Sequence, residues 1–195
     1  AYFGGNIPGI ENVTKVVFKN GITTIGAESF SNFSNIKEAD FSECTTLRNI
    51  NATSFYNTSI STFDLSACTS LRELAGFSLR SQNLSEVRLG ISDPRQFYFS
   101  GSTFGFSSSD SVDVTIVVPI GSTDTWVNYY KNQGKAADGN TFSGLFGAKS
   151  VTFTEPMYEI NGDVLTISGT VGIVDEEFVR HIPGIENVTK VVFKD

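Results

Sequence analysis

The chain has 195 residues, with 14 Lys or Arg against 21 Asp or Glu, for a formal net charge of −7. That balance repels a nucleic-acid backbone rather than gripping it, and 12% aromatic with 18% charged residues is the opposite of a disordered acidic tail. The longest strongly apolar run, residues 114–120, is far shorter than the roughly twenty residues of a membrane-spanning helix. The opening Ala1-Tyr2-Phe3-Gly4-Gly5 is not a secretory leader, which is neutral on export for a segment of a longer precursor. Two cysteines are too few for a disulfide scaffold.

Along the chain, four segments begin at Val13, Ile36, Ile60 and Leu84, spaced by 23, 24 and 24 residues. Each places apolar residues at its first, fourth and sixth positions: Val13, Val16 and Phe18; Ile36, Ala39 and Phe41; Ile60, Phe63 and Leu65; Leu84, Val87 and Leu89. The step from fourth to sixth is the alternation of a half-buried strand. Two units continue in register with a cysteine and a leucine, Cys44 and Leu47, then Cys68 and Leu71. One unit of about 24 residues buries too little to fold alone, so the repeats predict strands stacked about 4.8 Å apart on a shared apolar spine.

The second half of each unit carries Ile22, Ile25 and Phe30; Leu47, Ile50 and Phe55; Leu71, Leu74 and Phe77. Ser, Asn, Thr and Gly surround them, which predicts brief helical turns near 27–33 and 52–57. Residues 84–110 form a longer, irregular unit running through Ser92-Asp93-Pro94. A strand at 114–118 precedes a helix with Asp124 in its first turn and Trp126, Tyr129 and Tyr130 on one face, suited to cover the last rung. Residues 131–144 read as a polar, Gly-rich loop, and 150–153 as a strand.

From Met157 the pattern changes to a hairpin turning at Asn161-Gly162, then a short helix start at Asp175-Glu176-Glu177-Phe178-Val179. Finally, Ile7-Pro8-Gly9-Ile10-Glu11-Asn12-Val13-Thr14-Lys15-Val16-Val17-Phe18-Lys19 recurs without change at 182–194, an offset of 175 residues. Thirteen consecutive identities mean duplication of a unit about as long as the chain. The expected organisation is a solenoid over 1–156, with repeats at 7–110 and a closing segment at 111–156. Residues 157–195 are then the cap and first strand of a second tandem copy.

Ile36-x-x-Ala39-x-Phe41-x-x-Cys44-x-x-Leu47 and Ile22-Thr-Thr-Ile25-Gly-Ala27-Glu-Ser-Phe30 resemble the BspA-like leucine-rich repeats of bacterial surface proteins, also found in some protozoan parasites. Val118-Pro119, followed by Trp126 and Tyr130, is similar to the valine-proline strand and aromatic helix that often close such arrays. The resemblance covers about residues 7–153. It implies an α/β, β-rich fold: a right-handed leucine-rich repeat solenoid of parallel strands with short helical turns on the convex side. It also implies a secreted or cell-surface location and adhesion to host proteins or other cells.

Signals of chemistry are sparse. His181, the one histidine, has neither a second histidine nor a nucleophile motif beside it, and reads as a polar residue at a helix end. Cys44 and Cys68 stack on adjacent rungs at a spacing that admits a disulfide, although parallel ladder side chains favour two buried thiols. No metal, nucleotide or hydrolase motif occurs, and no cofactor is implied. Asn12, Asn32, Asn51, Asn57, Asn83 and Asn187 each begin N-x-[ST], which matters only in a eukaryotic secretory protein.

The outward strand positions Lys15, Glu38, Asp40, Thr62, Asp64, Glu86 and Arg88 form the expected concave binding face, with Asp40 and Asp64 side by side in an acidic strip. The sequence thus points to a non-enzymatic module that binds a protein or cell-surface ligand, without nucleic acid or membrane insertion. The alternative is an assembly repeat that self-associates head to tail through residues 157–195.

Overall fold

A computed structural model describes residues 9–105, 112–156, 158–168, 182 and 185–194. The predicted helix start at 175–179 and His181 lie outside the described residues.

Each repeat contributes a longer strand followed by a two-residue strand. These are β1 (Lys15–Val17) and β2 (Thr24–Ile25), β3 (Glu38–Asp40) and β4 (Asn49–Ile50), β5 (Thr62–Leu65) and β6 (Glu73–Leu74), and β7 (Glu86–Leu89) and β8 (Tyr98–Phe99). The closing segment supplies β9 (Asp113–Val117), α1 (Thr123–Asn132), β10 (Ala137–Asp138), β11 (Thr141–Ser143) and β12 (Ser150–Thr154). After it come β13 (Tyr158–Asn161), β14 (Val164–Ser168) and β15 (Lys190–Lys194).

The longer strands stack in parallel pairs β1–β3, β5–β7, β7–β9 and β9–β12, and the short ones in a second parallel sheet β2-β4-β6-β8. Register follows the repeat, with Val16 opposite Ala39 and Phe63 opposite Val87. The carbonyl before β1 and the one before β5 each accept two N–H groups from a following rung: Thr14 from Lys37 at 2.8 Å and Glu38 at 3.2 Å, Ser61 from Ser85 at 2.9 Å and Glu86 at 3.2 Å. The strand ladder is interrupted between β3 and β5, where the Ser59 N–H bonds the Ile36 carbonyl at 2.9 Å.

Beyond the repeats the sheets are mixed rather than purely parallel. β10 and β11 run antiparallel beside β12, and β13 is antiparallel to β14. Residues 131–144 are therefore not a plain loop: Gly139, at φ 55°, lets the chain reverse between β10 and β11.

The predicted helical turns at 27–33 and 52–57 are not helices. Alternate N–H groups there point in different directions. Those of Glu28, Phe30 and Asn32 cross to Ala52, Ser54 and Tyr56 of the next rung, whereas Ser29 and Ser31 bond locally to Gly26 and Glu28. The next rung does the same, with Thr53, Phe55 and Asn57 crossing to Gly76, Ser78 and Arg80. Left-handed backbone at Glu28, Asn32, Thr53, Asn57 and Phe77 rotates these groups along the stack. A helix would have kept every N–H within its own rung.

Inside, Ile36, Phe41, Leu47, Ile50, Phe55, Phe63, Leu65 and Leu74 are fully buried. Phe18 stacks on Phe41 with ring centroids 4.6 Å apart, and Phe30 on Phe55 at 5.2 Å. Helix α1 packs on the array through Trp126, Val127 and Tyr130, which it buries. Its first N–H, of Thr123, donates to Glu155 at 2.9 Å. Burial opposes ionisation of that carboxyl, but the N–H groups of Gly121, Thr123 and Ser122 outweigh it and lower its pKa. A smaller core of Leu165, Ile167 and Ile182 joins β14 to the chain before β15.

Candidate binding surfaces

The seven residues singled out on the strands all sit on β1, β3, β5 and β7, at least partly exposed. Their charges are largely answered from within the chain. Lys15 Nζ lies 2.6 Å from Glu38 and 3.1 Å from Asp40, and Arg88 Nε lies 2.7 Å from Glu86. Register sets Asp64 opposite Arg88 and Thr62 opposite Glu86.

Asp40 and Asp64 have a local duty as well. Each accepts from the backbone N–H and hydroxyl of the serine two residues on: Ser42 at 3.1 and 2.7 Å, Ser66 at 3.0 and 2.5 Å. These Asp-x-Ser turns bend the chain away after the strand. The hydrogen bonds from Ser42, and then the Lys15 ammonium, hold the Asp40 carboxyl at about 2. The two carboxylates belong to β3 and β5, on either side of the interrupted ladder, with Asp40 ion-paired to Lys15 and Asp64 in register with Arg88.

Cys44 and Cys68 are free and buried. Burial, followed by the charges of Cys44 and Asp64, pushes the Cys68 thiol up to about 12, and burial also raises Cys44. Two N-x-[ST] asparagines serve the fold: Asn57 Nδ2 donates to Asn32 Oδ1 at 3.2 Å, and Gln82 Nε2 to Asn57 Oδ1 at 2.5 Å.

One surface was not singled out by the sequence. A cleft of about 870 Å³ opens beside β8, between α1 and the β10–β11 hairpin. Phe97, Phe99 and Tyr129 supply apolar wall, Lys135 and Asp138 add charge, and Tyr98 stands at the cleft with 59% of its surface exposed. The adjacent aromatics Phe97-Tyr98-Phe99 and Tyr129-Tyr130 were its visible signal. At the opposite end, an apolar groove of about 460 Å³ lies beside β1 and β2, lined by Ile10, Val16, Val17, Ile22 and Phe30.

Compared with curated proteins and with solved structures, the chain gives no significant match. The family pattern described as the BspA type leucine-rich repeat region matches residues 9–119 in six copies, more than half the chain. That stretch spans β1 to β9, and the chain belongs to the BspA-type leucine-rich repeat family.

Proposed function

We propose that the chain is a non-enzymatic, secreted or cell-surface module that binds a protein ligand, such as a host or neighbouring-cell protein, on a right-handed solenoid. The observation that carries this reading is the aromatic cleft at Tyr98. A tyrosine exposed to 59% beside an apolar-walled cleft of about 870 Å³ is the type of anchor that dominates protein interfaces.

The long-sheet face has a second role in this reading. Lys15, Glu38, Thr62, Glu86 and Arg88 steer and orient a partner, while Asp40 and Asp64 mainly hold the strand ends. Exposed, internally paired charges contribute little affinity on their own.

The test is binding of the immobilised chain to a panel of extracellular proteins, with Tyr98→Ala and a Glu86→Lys/Arg88→Glu double variant alongside. The reading expects Tyr98→Ala to weaken capture at least tenfold, about 1.4 kcal/mol, and the charge variant mainly to slow association. Undiminished capture by Tyr98→Ala removes the cleft from the site. Absence of any protein ligand across the panel overturns the module itself.

A further inference from the structure

We propose, resting on the binding-module reading, that the aromatic cleft takes up an extended segment of the partner protein as one further strand, added in parallel to β8. The short-strand sheet has a regular bonding pattern. The carbonyls of Thr23, Arg48 and Arg72, each just before a strand, accept from the next rung: from Arg48 at 2.8 Å, Arg72 at 2.7 Å and Tyr98 at 2.8 Å. At the strand ends, Ile25, Ile50 and Leu74 accept from Asn51, Ala75 and Ser100, each at 3.0 Å. Register puts Phe97 and Phe99 in the next places of these two series. The N–H groups of Tyr98 and Ser100 turn back to β6, so the Phe97 carbonyl and both backbone groups of Phe99 face the other way. Among the described residues no strand meets them, because β8 ends its sheet.

The chain on either side of β8 does continue into a further layer. Before it, the Ile91 carbonyl accepts from the Trp126 indole of α1 at 3.1 Å. After it, the Phe104 N–H crosses to the Phe146 carbonyl at 3.0 Å. The stretch between is left open, and the cleft lies there. β10, an edge strand of the long-strand sheet, lines the same cleft. An opening recessed between α1 and the β10–β11 hairpin admits a free loop or tail and shields the edge from another folded sheet.

Side chains set the composition of the occupant. In this sheet the first residue of each short strand is at least partly exposed, and the second, Ile25, Ile50, Leu74 or Phe99, is buried. A segment continuing the pattern lays one apolar side chain on a floor of Phe99, Tyr130, Phe142 and Phe146, and sets its neighbour beside Tyr98. Lys135 and Asp138 at the cleft have no ion partner among the described residues. The matching segment therefore carries an acidic and a basic residue next to its apolar one. Arg72-Glu73-Leu74, which contains the strand already paired with β8, has that composition.

The probe is a synthetic peptide copying residues 70–76, Ser-Leu-Arg-Glu-Leu-Ala-Gly, titrated into the isotopically labelled full chain and followed by NMR. Strand addition expects saturable shifts centred on Phe99 at millimolar peptide, with the Phe99 amide gaining protection from exchange. In the bonding pattern the peptide's Ala N–H donates to Phe99, and the N–H of the Leu before it points away. N-methylation at that Ala should weaken binding about tenfold, and at that Leu far less. Equal losses at the two positions, or no shift at β8, overturn the proposal. A Lys135→Glu/Asp138→Lys chain should bind the peptide about threefold more weakly and recover when its Arg and Glu are exchanged. Indifference to both changes overturns the charged composition. The dispersed spectrum of the variant reports that it is folded. Protein capture that needs Tyr98, with no response of β8 to peptide, keeps the binding module and overturns strand addition alone. Shifts at β8 when the panel captures no protein uphold the strand site and fail the module.

Discussion

The Trp126 indole N–H donates to the Ile91 carbonyl at 3.1 Å, tying helix α1 to the 84–110 repeat across 35 residues of sequence. Trp126 is fully buried and lies 5.6 Å from Phe153 and 6.1 Å from Phe97, measured between ring centroids. Replacing it with Phe removes the donor, strands a buried carbonyl and leaves a void. Trp126→Phe should cost about 1–3 kcal/mol and Trp126→Ala about 3–5 kcal/mol. Urea unfolding followed by far-UV circular dichroism reads both, and a loss below about 0.5 kcal/mol for Ala would show that the helix is not a structural closure.

Gly90 is fixed by a different constraint. A Cβ there would stand 2.0 Å from the Ser66 carbonyl oxygen one rung away, a backbone atom with no flexible side chain to yield. Gly90→Ala should therefore force two rungs apart and destabilise by about 1–3 kcal/mol, in the range of core overpacking. Gly101→Ala, where nothing lies within 4 Å, is the matched control and should stay within about 0.5 kcal/mol. Differential scanning calorimetry of the pair tests this, and equal melting temperatures would refute it.

The long strands were legible because their cause is local. Val16, Ala39, Phe63 and Val87 recur every 23 or 24 residues, and alternation turns them inward. The aromatic face of α1 and the terminal hairpin were readable for the same reason, although the hairpin reverses through Gly162-Asp163, one residue later than predicted. The turn layer was not readable. Glu28, Thr53 and Phe77 adopt left-handed backbone that such residues disfavour by about 1–2 kcal/mol, and only Asn32 and Asn57 advertise it. Hydrogen bonds between rungs overrule the local preference, and no single repeat contains that information. The cleft was hidden similarly, since Phe97–Phe99 and Tyr129–Phe146 meet only after the array has closed.

Asp40 gives the fold an acid limit. Its carboxyl sits at about 2, lowered first by the Ser42 hydroxyl and N–H and then by Lys15, against an ordinary value of 3.8. A depressed folded pKa contributes stability that is present above the unfolded value and is lost as pH falls through the folded one. The window therefore runs from about pH 4 down to about pH 2. Asp93, held at about 2 by Arg95, acts over the same range. An Asp40→Asn/Asp93→Asn variant should show a shallower loss of stability over that window, measured by urea unfolding at stepped pH. A slope equal to that of the parent would remove both carboxylates from the account.

Cys44 and Cys68 should be chemically silent in the folded chain. The thiolate is the reacting form, and a Cys68 thiol raised to about 12 by burial holds almost none of it near neutrality. Cys44 is raised by burial too, and its Sγ faces the Lys19 carbonyl at 3.8 Å. Neither thiol should react with an aromatic disulfide reagent until denaturant is added, whereupon both should react. Mass spectrometry after mild oxidation should find no Cys44–Cys68 bond in the native chain, because both thiols are buried and burial holds them protonated. Cys68→Ser should destabilise by about 1–3 kcal/mol by burying a hydroxyl where a weakly polar thiol sat, whereas Cys68→Ala should lose mainly packing. Rapid labelling of the folded protein would show that the spine opens at these rungs, and would count against an unbroken core from Phe41 to Leu71.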